Sequence, residues 1–237
     1  QLPLDRIDKE WTSAYSPETF VGGLSHHGRQ GLFAMIVNQP MPGGKTLKGR
    51  KSWFFIDERI LCLGSDISCD EAVYPTQTTL CQRGLLQNKQ AEFLPTRLDG
   101  ADFTAFPEER SLDEAKPHWF IDVQQTGYYL PAGQKVTLAR RHQKSREYQD
   151  QGDTEGDFLT AWIDHGKAPA AGGYEYLLMV RATSEAIEGL AARPPYHVVQ
   201  RDAAAHIVWD TTGRRWSCAL FAPQEVAPHT VATETLP

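Results

Sequence analysis

The densest group of side chains able to meet an anion is Arg140, Arg141 and His142, followed by Lys144 and Arg146. A guanidinium presents paired N–H donors that match a carboxylate or a sulfate, so this group could hold an acidic ligand. Alternation along a strand sets Arg140 and His142 on one face and Arg141 on the other. The same charges could instead be strand-end charges that pair with Glu147, Asp150 and Asp153. Such exposed pairs are common and contribute little. Asp164 and His165 have the form of a carboxylate orienting an imidazole, but neighbours on a strand point to opposite faces. A structural hydrogen bond is therefore the simpler expectation for His165. Arg140, His142 and His165 are the candidates for substrate contact, and no residue is assigned a catalytic role.

His26 and His27 sit in the glycine-rich stretch GGLSHHGRQG. They could bind a metal or move a proton, or be a solvated loop pair. No further His, Asp or Glu stands at a matching spacing, so no metal site is expected. The chain has no GxSxG, HExxH, phosphate-binding loop or dinucleotide glycine pattern, so no cofactor is expected either. The four cysteines are Cys62, Cys69, Cys81 and Cys218. None forms a CxxC pair. Cys62 and Cys81 lie in apolar runs and read as buried free thiols, with a disulfide of Cys62 to Cys81 or Cys69 as the alternative. Trp11, Trp53, Trp119, Tyr128, Tyr129, Trp162, Tyr174 and Tyr176 recur beside polar residues. Most should be core, with one or two lining a groove on which a sugar ring could stack.

The elements that must position these groups are strands. The stretch 31–40 reads as a buried strand ended by proline, and 51–64 (KSWFFIDERILCLG) as a hairpin across a charged turn. Further strands are expected over 76–85, 118–124, 126–131, 135–143, 155–169 and 174–183, with a glycine-containing turn in 94–103. One helix is expected at Ser184–Ala192, with Ser184 as its N-cap and Pro194 beyond its end. The final strands fall in 196–202 and on either side of the turn 210–214. About a dozen strands joined by connections too short for βαβ crossovers make an all-β protein: a large antiparallel β-sandwich with one short helix. No fixed repeat points to a propeller.

Composition narrows the function. The 237 residues are 41% hydrophobic and 23% charged, with 24 Lys and Arg against 30 Asp and Glu, a net charge of −6. That excludes a disordered chain and argues against a dedicated nucleic-acid binder, which would carry a basic excess. No apolar run is long enough to span a membrane as a helix. A polyanionic substrate remains compatible, since a basic groove can sit on an acidic protein. The sequence opens on QLPLDRIDKEW, with no methionine, basic n-region or apolar h-region, and its end APHTVATETLP is polar. Both ends are expected to be cuts in a longer polypeptide, with 1–237 as one central β-sandwich domain.

Four segments in order carry a resemblance: GRQGLFAM, RKSWFFIDERILCLGSDIS with QTTLCQR after it, TEGDFLTAWIDHGKAPAAGGYEYLLMV, and HIVWD. Over roughly 1–225 they resemble the central super-sandwich of polysaccharide lyase family 8, and within it the chondroitin sulfate ABC lyases. The resemblance implies an α/α toroid before this sandwich and a smaller β domain after it. It implies β-elimination at the uronic acid of chondroitin sulfate or hyaluronan, and a secreted or periplasmic location. The family's Asn or His, Tyr and Arg come from the toroid, and its ABC-type members add a Glu that would lie just upstream of Gln1. Glu10, Glu18 and Glu175 do not sit in that motif. The implied partners are the glycosaminoglycan and the remaining domains or chain of the same lyase, so this chain alone should be inactive. The alternatives are a non-catalytic carbohydrate-binding sandwich or an adhesion module.

Overall fold

The computed structural model describes residues 15–146 and 152–223. Among them are sixteen strands and one α-helix in three antiparallel sheets. The central sheet has nine strands in the order β1 (Val21–His26), β2 (Gln30–Met41), β3 (Lys45–Ile56), β4 (Arg59–Cys69), β13 (Gly172–Met179), β10 (Gly127–Leu130), β9 (His118–Ile121), β6 (Thr96–Leu98) and β7 (Ala101–Phe103). A four-stranded sheet, ordered β5 (Pro75–Gly84), β12 (Asp153–Lys167), β11 (Val136–Arg146) and β8 (Glu108–Ser111), covers one face. The other face carries α1 (Ser184–Ala192) and a three-stranded sheet of β14 (Tyr196–Arg201), β15 (Ala205–Asp210) and β16 (Arg215–Leu220).

Three strands in the middle are apolar on both sides, and alternation explains why. On β4, Cys62 enters the core shared with the four-stranded sheet, while Leu61 and Leu63 enter the opposite core. On β10, Tyr128 goes one way and Tyr129 the other, and on β13 Tyr176 and Leu177 divide likewise. The first core is completed by Leu138, Leu159, Ala161 and Ile163. The second is completed by Leu190 of α1, Tyr196 and Val208.

The expected hairpin is present: Ile56 faces Arg59 across Asp57 and Glu58, and Asp57 takes the left-handed φ of 53° that such a tight turn needs. The helix is capped one residue earlier than expected. Thr183, not Ser184, is the N-cap, with extended backbone and a side chain accepting from the Ala186 N–H at 3.2 Å. Sixteen strands exceed the expected dozen because the edges carry no alternation. β1, in the stretch read as a glycine-rich loop, is exposed throughout, and β8 is the charged run EERS. Short, charged edge strands resist pairing with other chains. The cysteines are free, with Cys62, Cys69 and Cys81 buried, so the disulfide alternative does not hold. The Cys62 and Cys81 thiols are each pushed up to about 12, first by burial, which keeps them protonated and unreactive.

A buried polar network docks the third sheet. His206 on β15 has no exposed surface. Its Nδ1 lies 2.7 Å from Ser52 Oγ of β3, and its Nε2 lies 2.8 Å from Ser65 Oγ of β4. Ser65 Oγ donates to the Asp202 carbonyl at 2.7 Å. With that proton spent, Ser65 accepts from Nε2–H, and Ser52 donates to Nδ1. All four groups are satisfied by one neutral tautomer. Burial, then Arg201, holds the His206 pKa down to about 4, against 6.5 for an ordinary histidine. The contribution is complete above pH 6.5 and is lost as pH falls towards 4. Urea unfolding should therefore show about 3 kcal/mol less stability at the acid end of that window, and His206→Gln should flatten this slope.

Close packing adds a second constraint. Gly64 on β4 lies directly under the Tyr174 ring, where a Cβ would overlap the ring atoms. Gly64→Ala is expected to cost about 1–3 kcal/mol through overpacking, read as a lowered melting temperature.

Candidate functional site

Strand β11 carries two of the expected contact residues, and the structure separates them. Arg140 has 0% exposure. Its Nη1 donates to the carbonyls of Leu94 at 3.0 Å and Phe103 at 2.9 Å. Nε and Nη2 meet no acceptor. Burial lowers the Arg140 pKa, and Glu108, its cross-strand partner on β8, offsets part of that. The Arg140 side chain points into the core between the sheets and not to the surface. Its work is to tie β11 to the segments bearing Leu94 and Phe103.

His142, two residues on, shares that face but has run past the covered part of the sheet, so it is exposed. Its Nδ1 lies 2.9 Å from Asp157 and its Nε2 3.3 Å from Glu155. These carboxylates, Asp157 first, raise its pKa. Lys144 meets Glu155 at 3.1 Å, and Arg141 meets Glu109 at 3.5 Å. The basic run is thus neutralised locally. Of the expected partners, Glu147 and Asp150 lie outside the described residues, and Asp153 stands opposite Arg146 in the β11–β12 pair.

His165 is half-buried on β12, with Nε2 2.8 Å from Thr78 Oγ1 of β5. Desolvation lowers its pKa, and the nearby Lys51 acts in the same direction. Asp164 turns away and accepts the Gly166 N–H at 2.9 Å. Asp164 and His165 therefore do not form an oriented pair. His26 and His27 end the β1–β2 hairpin, with ring centroids 4.0 Å apart.

Two arrangements were not legible in the sequence. The outer face of the four-stranded sheet has a small cleft of about 120 Å³ lined by Gln77, Thr79, Gln82, Arg141, Thr160 and Trp162. Alternation with Leu159, Ala161 and Ile163, which enter the inner core, sets the Trp162 ring on the outer face, where the Arg141 guanidinium covers it at 5.4 Å. Gln82 donates to Gln143 and Gln143 to Thr160, both at 2.6 Å. This is chemistry suited to sugar hydroxyls, in a space smaller than the few hundred Å³ of an ordinary ligand pocket. The second arrangement joins Glu175, Tyr196 and Arg201. The Tyr196 hydroxyl donates to Glu175 at 2.9 Å, and Arg201 lies 3.5 Å from the same carboxylate. By residue type this could move protons. Burial, however, raises both the Tyr196 and Glu175 pKa values, so the phenol stays protonated and cannot act as a base near neutrality. The trio ties β14 to β13.

The architecture is a three-layered antiparallel super-sandwich. The family model for polysaccharide lyase family 8, super-sandwich domain, matches residues 1–191, and the chain belongs to this family. It is 34% identical over 216 residues to the chondroitin sulfate ABC exolyase of Bacteroides thetaiotaomicron, covering 90% of this chain and 20% of that protein. It is 27% identical over 236 residues to the chondroitin sulfate ABC endolyase of Proteus vulgaris, covering 95% and 22%. The solved structure of a Paenibacillus xanthan lyase superposes with a TM-score of 0.72 at 25% identity, over 85% of this chain and 20% of that one. The chain spans about a fifth of the length of these relatives.

The geometry at Arg140 yields a test. Arg140→Ala leaves a cavity and two unpaired carbonyls, at a cost of about 2–4 kcal/mol. Denaturant unfolding should register that loss as a lowered midpoint concentration. Unaltered stability would show that Arg140 does not tie these segments together.

Proposed function

We propose that this chain is the sandwich portion of a secreted or periplasmic lyase that cleaves chondroitin sulfate or hyaluronan by β-elimination, with the catalytic groups supplied by other domains. The observation that carries this reading is the match along most of the chain to ABC-type lyases of about five times its length. In such a reaction a base removes the uronate C5 proton, and an acid protonates the leaving glycosidic oxygen. The C5 proton is hard to remove unless the adjacent carboxylate is neutralised. Among the described residues, His142, Lys144, Glu155, Glu175, Tyr196 and Arg201 are engaged with one another, which favours a supporting role for this part of the protein.

A partner surface fits this reading. β1, β2 and β3 set Val21, Phe33 and Phe55 on the same face as Trp53 and Cys62. Nearer the middle of the sheet this face is buried by the four-stranded sheet, yet Val21, Phe33 and Phe55 are exposed. Contiguous exposed apolar residues mark contact surfaces, and the remaining domains of the lyase are the proposed cover.

Incubating the full-length protein with chondroitin sulfate and with hyaluronan should release 4,5-unsaturated uronate, followed by its ultraviolet absorbance. The 237-residue chain alone should release none. No unsaturated product from the full-length protein on either polymer would overturn the proposal.

A further inference from the structure

One end of the central sheet forms a groove of about 570 Å³ between the β1–β2 turn, the β3–β4 turn, the end of β13 and α1. Its rim carries four arginines, Arg29, Arg59, Arg181 and Arg193, against Asp57 and Glu58. Arg29 is spent on Asp57 at 3.7 Å. Among the described residues the side chains of Arg59, Arg181 and Arg193 form no ion pair. Three uncommitted guanidinium groups around one groove are notable on a chain of net charge −6, and their field is local.

The groove is held in shape by main-chain bonds between its turns. Asp57 N donates to Arg29 O and Val180 N to Glu58 O, both at 3.0 Å. Arg181 is fixed in the left-handed region at φ 53°. Its floor is apolar, formed by Met179, Leu190 and Pro195. A cationic rim over an apolar floor suits a ligand with anionic substituents on a ring that presents C–H faces.

We propose that this groove binds an acidic oligosaccharide, with sulfate or carboxylate groups held by Arg59, Arg181 and Arg193 and a sugar ring over Met179 and Leu190. The choice of an oligosaccharide over another polyanion rests on the reading of the chain as part of a lyase for acidic polysaccharides.

The test uses the full-length protein and a fluorescent chondroitin sulfate hexasaccharide, with polarisation read at low and at raised salt. Arg59→Gln, Arg181→Asn and Arg193→Gln are combined, with asparagine chosen because it tolerates the left-handed backbone. A control carries Lys89→Gln, Lys116→Gln and Lys135→Gln, exposed positions outside the groove with the same change in net charge. The arginine variant should bind about tenfold more weakly at low salt, with the difference shrinking as salt rises. The lysine control should stay close to the parent. A second variant, Ala186→Glu, keeps the arginines and places a carboxylate in the groove. It sits in the first helical turn, where an acidic residue does not harm the fold, and it should weaken binding comparably.

Equal losses in the arginine variant and the lysine control, or full affinity in Ala186→Glu, would overturn the groove. An oligonucleotide of matched charge that binds as tightly, with the same sensitivity to the variants, would overturn the sugar assignment. Lyase activity is read in parallel. Active enzyme with unaltered hexasaccharide binding in the variants sinks the groove alone. Absent unsaturated product from the unaltered protein sinks the enzymatic reading and leaves the binding result standing.

Discussion

β4, β13 and β10 must be dry on both faces, and the other layers follow from that. Cys62 with Tyr128 and Tyr176 faces one core, while Leu61, Leu63, Tyr129 and Leu177 face the other. Burying a Leu or Phe side chain contributes about 1.5–3 kcal/mol, so neither face can be left to water. A cover is needed on each side. The four-stranded sheet supplies one, and α1 with the three-stranded sheet supplies the other. This is why the molecule has three layers rather than the two of a simple sandwich.

Apolar burial supplies most of the driving force, but it is non-directional and leaves each cover free to slide. Polar groups set the alignment. Ser52, His206 and Ser65 pin the third sheet with hydrogen bonds that one tautomer satisfies. Arg140 does the equivalent for β11, through the carbonyls of Leu94 and Phe103. A misplaced cover would strand these groups without partners, at about 1–3 kcal/mol each. Most of the buried polar chemistry of this chain is therefore committed to assembly.

The strand ends and the outer faces carry the polar groups that assembly does not use. The turns after β1, β3 and β13 converge at one end of the central sheet, and Arg59, Arg181 and Arg193 gather there although they are far apart in the chain. The outer face of the four-stranded sheet offers amides, hydroxyls and one covered indole. Both surfaces stand on rigid sheets, so their geometry is set before any ligand arrives. The chain spans about a fifth of its relatives.

The class of fold, the 51–64 hairpin and the single helix were legible because each depends on residues close in sequence: alternation, a two-residue charged turn, a 3.6-residue period. The family was legible because ordered local motifs survive in the chain. The edge strands β1 and β8 were not, since strands with no buried side leave no alternation to read. Nor was the pairing of β4 with β13, separated by more than a hundred residues, because a strand's pattern states that a face is buried and not what buries it. The same gap explains the site. Spacing correctly set Arg140 and His142 on one face of β11, but only the tertiary structure decided that the cover ends between them, so that the first is core and the second surface. The arginine groove had no sequence signal at all. It arises where turns from distant parts of the chain meet, and that meeting is fixed by packing across the sheet.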